Sequence, residues 1–475
     1  MTDINGDGKN DIAACSVLDD SVSWFKNVGE YYNTITGTVR FDVDANGCTP
    51  TDTTAQQVLV TSTNGSNTWS SFTNVFGVFT TNTNQGTYNT TITSPLANFT
   101  ATPQSQQSAF TNNSGGNSTL NFCLQTTTQI TDLDVSIYNI TEVRPGFPVR
   151  YKVVVKNTGT VPAGGSLVVN FDSAKLNYDP DSSSQATVTG DNLNYNIGTV
   201  SVFQSKEFIV NFIAKTIPTI NLGDEVVLTA NATVAGDATP DDNSATDTAT
   251  VVGSYDPNDI TVLEGSQILL EDADEYLHYL IRFQNTGNYY AERVVVKNPI
   301  DSKLDWTTMQ IESMSHNGRV EIINGAEATF TFDAIYLPAV TVNEPASHGY
   351  IAYKIKPKAN VQLGDTFTEQ AHIFFDFNPA IDTNIVTTTV VDAAAGLPQF
   401  TAETVTVYPV PSKNILNIKA NTGIARIEIY NQAGQRVLSN VLQNSIDISA
   451  LSQGIYFAKI EDVNGSSVTK KVVKN

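Results

Sequence analysis

Asp3, Asn5, Asp7, Lys9 and Asp11 occupy alternate positions of Asp3-Ile4-Asn5-Gly6-Asp7-Gly8-Lys9-Asn10-Asp11. Alternate spacing around glycine-permitted turns lets one loop wrap a single ion, and three carboxylates held this close repel one another unless a cation neutralises them. The chemistry this spacing points to is Ca²⁺ coordination, with Lys9 offering its backbone carbonyl; a plain Asp/Asn/Gly turn is the other reading. An EF-hand is excluded, because its twelfth loop position must be Glu and here is Ala14. A second acidic turn carries Asp42, Asp44 and Asn46 before Gly47. It is either a weaker Ca²⁺ site or an ordinary Asn-Gly hairpin. Cys48 follows that turn and Cys123 sits in Leu120-Asn121-Phe122-Cys123-Leu124, so either a disulfide joins them or both are buried thiols. Farther on, Asp241, Asp242, Asp256 and Asp259 gather at a Pro-rich joint. They read as an ion site between domains or as linker punctuation.

Catalysis needs converging reactive groups, and the sequence offers few. His278, His316, His348 and His372 are scattered singly, without a His-Glu-x-x-His or Cys-x-x-Cys pattern for zinc. There is no Gly-x-Ser-x-Gly elbow and no phosphate-cradling glycine loop. The expectation is therefore not an enzyme. Tyr289 and Tyr290 are candidates for an exposed aromatic pair that could bind glycan.

The elements that must position these residues are strands. Hydrophobic residues make up 40% and charged residues 16% of 475, with Thr, Asn, Ser, Val and Ile prominent, a balance that favours strands and polar turns. That length suits three to five modules of roughly 100 residues. The 26 Lys and Arg against 48 Asp and Glu give a net charge of −22, which repels nucleic acid and anionic lipid alike. No apolar run approaches the roughly 20 residues of a membrane span. Met1 is followed by Thr2-Asp3-Ile4-Asn5 where a signal peptide would be basic and apolar, so a leader is expected upstream of a truncated start.

Tyr151 to Thr160 (Tyr-Lys-Val-Val-Val-Lys-Asn-Thr-Gly-Thr) is echoed by Tyr279 to Asn288 (Tyr-Leu-Ile-Arg-Phe-Gln-Asn-Thr-Gly-Asn). Asn221-Leu-Gly-Asp224 is echoed in turn by Gln362-Leu-Gly-Asp365. Two tandem sandwiches of immunoglobulin-like size follow. The expected fold class is all-β: Ig-like β-sandwich modules in tandem, with a partial propeller blade at the N-terminus.

The first acidic loop resembles the Ca²⁺ loop of FG-GAP or VCBS repeats, which build propellers, and implies a partial blade at residues 1–30. The stretch Gly37-Thr-Val39-Arg-Phe41-Asp42-Val-Asp44-Ala-Asn46-Gly47 resembles prealbumin-like and Cna-B-type modules, placing a β-sandwich at 31–125. The two echoing units, 126–253 and 254–392, resemble the conserved-repeat Ig-like modules of bacterial surface proteins. After a linker at 393–403, residues 404–475 differ in kind. From Ala402 onward eight Lys or Arg against five Asp or Glu leave +3, and −25 for the rest. This segment carries Tyr408-Pro409-Val410-Pro411, Ile429-Tyr430-Asn431-Gln432-Ala433-Gly434, Leu451-Ser452-Gln453-Gly454-Ile455-Tyr456, and a tail with Lys470, Lys471 and Lys474. Together these resemble the type A C-terminal sorting domain of the type IX secretion system, although that family usually has Asn where Val410 stands. The resemblance implies export by the outer-membrane secretion machinery, attachment to surface lipopolysaccharide, and a secreted or cell-surface location. The functional expectation is an adhesin-like stalk with its export signal. The alternatives are the non-catalytic tail of a secreted hydrolase and a glycan-binding module.

Overall fold

Val, Ile, Thr and aromatic residues alternating with polar ones fold into strand after strand, and among the described residues no α-helix forms. The structure is a computed structural model. It describes residues 12–16, 21–25 and 32–475 apart from 95–96, 127, 181–185, 254–256, 393–404, 421–423, 432–434, 442–444 and 463–466. Two compact units result, Met1–Thr389 and Val390–Asn475. At the N-terminus Ile12–Ser16 pairs antiparallel with Ser21–Phe25. The predicted loop of Asp3, Asn5, Asp7, Lys9 and Asp11 lies outside the described residues, as does the predicted linker 393–403.

Three sandwiches make up the rest of the larger unit. In the first, Asn33–Phe41 alternates strictly between buried and half-buried residues and centres a six-stranded sheet. Its inward residues Ile35, Val39 and Phe41 meet Val60, Tyr88 and Ile92 of the facing sheet. In the second, Leu133–Asn139, Pro148–Asn157, Ser205–Ala214 and Leu176–Tyr178 face a five-stranded sheet. The third repeats that plan with Asp259–Val262, Leu277–Gln284, His348–Pro357 and Leu304–Met314.

One side chain explains why the two copies share Asn-Thr-Gly. The buried Asn157 amide donates to the Val161 carbonyl (2.9 Å) and the Val200 carbonyl (2.8 Å), while its Oδ1 accepts the Gly159 amide (3.0 Å). Asn285 does the same with Tyr289 O (2.8 Å), Leu337 O (2.9 Å) and the Gly287 amide (3.0 Å). Each turn thus satisfies backbone groups that burial would otherwise orphan.

A stalk of separate beads is not what these sandwiches make. Thr68–Phe72 of the first pairs antiparallel with Arg319–Ile323 of the third, so a single nine-stranded sheet runs through both. Asn324 closes the junction, its Oδ1 accepting the Thr68 amide at 2.8 Å. Two exposed sheet edges have satisfied each other, and hydropathy gives no sign of which edges will pair. The second sandwich contributes Val202 and Phe203 to the core of the first, with Phe203 against Phe99 (4.9 Å between centroids) and Phe41 (5.8 Å).

The second and third sandwiches meet face to face. Leu133–Asn139 is buried at all seven positions, and Leu277–Gln284 and His348–Pro357 are buried nearly throughout. Their polar alternate residues, which a two-layer sandwich would leave wet, are covered by the other copy. Tyr138, Leu280, Tyr350 and Ala352 form the apolar part of this seam. Around it lie ion pairs. Lys354 bonds Asp134 and approaches Glu312 at 3.5 Å. Arg282 binds both Asp259 and Glu142 and donates to the Asn139 carbonyl. Lys152 meets Glu207 at 2.6 Å, and Ser313 donates to the same carboxylate at 2.8 Å.

Burial sets the protonation of these groups. Desolvation drives Asp247 up to about 7 and Glu369 up to about 8. It also raises Glu312 and lowers Lys156 to about 8. Glu369 lies in the core of the third sandwich, taking the Asp301 amide (2.8 Å) and the Asn298 side chain, which in turn accepts the Tyr353 hydroxyl (2.7 Å).

Lys354→Ala leaves Asp134 and Glu312 without their ion-pair partner and is expected to lower stability by about 3 kcal/mol, whereas Lys354→Met combined with Asp134→Leu and Glu312→Met recovers most of it. Urea unfolding midpoints check both. Glu369 and Asp247 hold protons in the folded chain that the unfolded chain releases near pH 4, so stability falls as pH rises from about 5 to about 8. Lys156, depressed by burial, opposes this only above its own value of about 8. Glu369→Gln is expected to flatten the dependence in a melting-temperature series.

Candidate functional site

The two Ig-like copies enclose a cavity of about 740 Å³ at the end of their seam, lined by Asp132, Asp134, Asp242, Glu264, Tyr276 and Lys354 among others. Asp132 precedes the strand Leu133–Asn139, and Asp242 lies in the 3-10 turn Pro240–Asn243 that leads into Ser244–Thr250. With Asp237 they form a cluster whose carboxylate oxygens lie within 4.8 Å of one another. Asp237 is held by the Leu133 amide (3.1 Å) and the Thr239 amide (3.0 Å), and Asp132 by the Thr158 hydroxyl (2.8 Å). Desolvation first, then Asp134 and Asp132, push Asp242 up to about 8. Asp132 is raised by the same two causes, burial and neighbouring carboxylate charge. One oxygen of Asp132 and one of Asp242 find no hydrogen-bond donor among the described residues. The arrangement could take a proton or a hard cation.

The joint carboxylates read from the sequence are split up. Asp242 enters this cluster, Asp241 remains exposed on the cavity wall, and Asp259 turns away to Arg282. Asp256 lies outside the described residues. Asp132 was missed because it lies far from Asp242 in sequence and is brought to the Asp237–Asp242 segment by the isolated bridge of Thr131 to Asp237; Asp237, five residues before Asp242, fell outside the Pro-Asp-Asp-Asn motif that drew attention to the joint.

In the first sandwich, Asp42 takes the Gln125 amide (2.7 Å), the Gly47 amide (2.8 Å) and the Asn46 amide (3.2 Å), which together hold its carboxyl below the usual range. Asn46 donates to Asp44 at 2.6 Å. Asp52 joins Asp42 and Asp44 in a second carboxylate cluster and is fixed by the Thr49 amide (2.6 Å). The Asp-x-Asp-x-Asn spacing gave no hint of Asp52. Cys48 and Cys123 are bonded, with a Cα separation of 5.5 Å, linking the end of this turn to the strand Phe122–Gln125 that runs parallel to Asn33–Phe41.

The histidines stay apart. His278 Nδ1 pairs with Glu264 (2.7 Å), His348 with Glu344 (3.1 Å) and His372 with Asp382 (2.7 Å). His316 contacts its chain neighbour Ser315 at 2.8 Å. Tyr289 and Tyr290 are exposed, with ring centroids 4.2 Å apart.

The smaller unit packs Thr406–Tyr408, Ile415–Lys419 and Ser445–Asp447 against a four-stranded sheet that ends in Ser467–Lys474. Leu416, Ile418, Ile427, Ile429, Ile460 and Val472 fill the space between them. Tyr408, Pro409 and Pro411 enter through a turn tied to the final strand, since the Ser412 amide donates to Val473 O (2.9 Å) and the Asn475 amide to Ser412 O (2.9 Å). Gly454 starts the strand that carries Tyr456, whose hydroxyl donates to Ser452 O at 3.0 Å. Gly434 lies outside the described residues. The basic tail does not form one face: Lys470 and Lys474 alternate in step with the buried Val468 and Val472, and Lys471 points the other way.

Residues 256–389 match a family described as a domain of unknown function, DUF7619, and residues 406–475 match the family described as the secretion system C-terminal sorting domain. The chain is 30% identical over 118 residues to beta-agarase D of Zobellia galactanivorans, covering 24% of this chain and 24% of that protein. It thus spans about a quarter of the length of that curated relative. Solved structures similar to it include the CARDB domain of a Pyrococcus furiosus protein in complex with di-metal ions (21% identity, 26% of this chain and 92% of that one, TM-score 0.19). Another is the collagen-binding domain of a Staphylococcus aureus adhesin (15% identity, 29% and 99%, TM-score 0.20). At those scores the sheets described above, not these likenesses, establish the β-sandwich architecture. The lysine-tipped seven-stranded unit at the end of the chain is a C-terminal sorting domain of the type IX secretion system, on a protein that is secreted or displayed at the cell surface.

Proposed function

We propose that this chain is the non-catalytic, adhesin-like part of a surface protein, in which a braced block of three sandwiches carries the binding surface and the final unit directs export. The observation that carries the reading is the sorting domain at 406–475 on a block whose buried ionisable groups serve the packing of one sandwich on another. Lys354, Arg282, Asp134 and Glu312 are spent on the seam, which argues for a structural use of charge rather than a catalytic one. After export, attachment to surface lipopolysaccharide would anchor the block outside the cell. A second reading, the accessory tail of a secreted polysaccharide hydrolase, is favoured by the match to an agarase over 118 residues. In that case the same block would hold a catalytic domain near its substrate.

Ca²⁺ fits the proposal as a structural ion. Asp42, Asp44 and Asp52 would hold one ion, Asp132, Asp237 and Asp242 another, and the Asp3 to Asp11 loop a third.

Removing residues 405–475 is expected to strand the protein in the periplasm of a type IX-competent host, read by fractionation and surface protease accessibility. Surface delivery of the truncated form would overturn the export reading. Millimolar Ca²⁺ is expected to raise the melting temperature and a chelator to reverse it, with the shift reduced by Asp42→Ala and by Asp242→Asn. No shift in the parent chain would count against all three sites.

A further inference from the structure

The two Ig-like copies share one stitched turn, so the residues around it can be compared position by position. Equivalence follows from the hydrogen bonds: Asn285 to Tyr289 and Leu337 in one copy corresponds to Asn157 to Val161 and Val200 in the other. Tyr289, Tyr290 and Tyr336 therefore stand where the first copy has Val161, Pro162 and Thr199. Three tyrosines replace three residues without aromatic rings, around the same Asn side-chain hydrogen bonds.

The rings form a contiguous exposed cluster. Tyr289 is 68% exposed, Tyr290 36% and Tyr336 58%. Centroids are 4.2 Å apart for Tyr289 and Tyr290, and 5.7 Å for Tyr290 and Tyr336, with planes inclined at 35° and 60°. Tyr336 adopts φ +47°, a left-handed conformation that a bulky side chain seldom takes, next but one to Ala334 at +54°. The backbone around it is locked by the reciprocal pair Ala291 N to Leu337 O (2.9 Å) and Leu337 N to Ala291 O (2.8 Å), and by Ile335 N to Glu292 O (3.0 Å). An aromatic ring is thus held outward by strained backbone, against Tyr290 and not in a core. Beside the rings the segment continues into Glu292 and Arg293, and Arg293 bonds Asp333 at 2.7 Å. Polar groups thus border the aromatic surface.

We infer that Tyr289, Tyr290 and Tyr336 form a platform for a neutral polysaccharide of pyranose sugars. The electron-rich face of a tyrosine attracts the weakly positive C–H face of a pyranose ring, while its hydroxyl and the flanking polar side chains can bond sugar hydroxyls. Three rings are too small a patch for a stable protein interface, which takes about 800 Å² from each partner. A net charge of −22 disfavours uronate or sulfated chains and anionic membranes. The inference deepens the adhesin-like reading and rests on it for its setting. Its test uses purified protein, so failure here leaves the export result untouched.

The full chain is run in native affinity gels containing agarose, laminarin, xylan, cellulose derivatives, alginate or carrageenan, and over anionic vesicles as a separate arm. At least one neutral polysaccharide is expected to retard it, with dissociation constants weakened at least about tenfold by Tyr289→Val with Tyr290→Pro. That double change copies the sequence the first repeat already accepts on the same stitch, so the fold is retained, as an unchanged melting temperature will show. Tyr336→Ala is expected to weaken binding as well, and Tyr289→Phe with Tyr290→Phe to keep most of it. Retardation by no neutral polysaccharide, retention unchanged in the Val-Pro variant, or binding confined to the anionic polymers or vesicles overturns the assignment.

Discussion

Arg282 and Lys354 are cations removed from water between two protein faces, and that removal dictates how the larger unit is put together. A buried guanidinium or ammonium is tolerable only where carboxylates and carbonyls reach it. Arg282 finds Glu142 and the Asn139 carbonyl across the seam and Asp259 within its own sandwich; Lys354 finds Asp134 across it and Glu312 at home. A shift of one copy against the other would part each cation from the carboxylate that meets it across the seam. The pairs therefore act less as a source of stability than as a penalty on every other register, and the apolar patch of Tyr138, Leu280, Tyr350 and Ala352 supplies the attraction.

Two further joints tie the block together. The sheet shared by the first and third sandwiches removes two open edges at once, and Phe203 of the second plugs the core of the first. Each sandwich thus touches both others by a different kind of contact: a ladder, a plug and a charged seam. Joints of this kind fix the three sandwiches relative to one another more closely than exposed linkers between separate domains would. The sorting unit obeys a simpler logic, with a small aliphatic core and its last strand tied to the Pro-x-Pro turn by two backbone hydrogen bonds.

The period-two alternation of Val39 and Phe41, or of Ile427 and Ile429, was enough to read strands, and the echo of Asn157 by Asn285 was enough to read a repeated module. The motifs from Tyr408 to Lys474 were enough to read the export signal, because a sorting domain carries its message in local strand and turn chemistry. The same rule is silent in one respect. Asp134, Lys152, Arg282 and Lys354 alternate with apolar neighbours, the pattern of a wet face, yet all four are buried. Alternation states which residues share a face of a strand. It does not state whether that face meets water or another sheet.

Local pattern, then, determined the β class, the repeats and the C-terminal address of this protein, since each depends on residues within a few positions of one another. Only the tertiary structure decided that Asp132 and Asp237 join Asp242, that Asp52 joins Asp42 and Asp44, that Cys48 bonds Cys123, and that Tyr336 completes the pair Tyr289 and Tyr290. Several of those groupings bring together residues far apart in sequence, Asp132 with Asp242, Cys48 with Cys123 and Tyr289 with Tyr336, and the shorter-range ones still need a particular turn to close. They follow from which faces and edges dock, a choice made by the total burial and charge compensation of whole sheets and not written in any short segment.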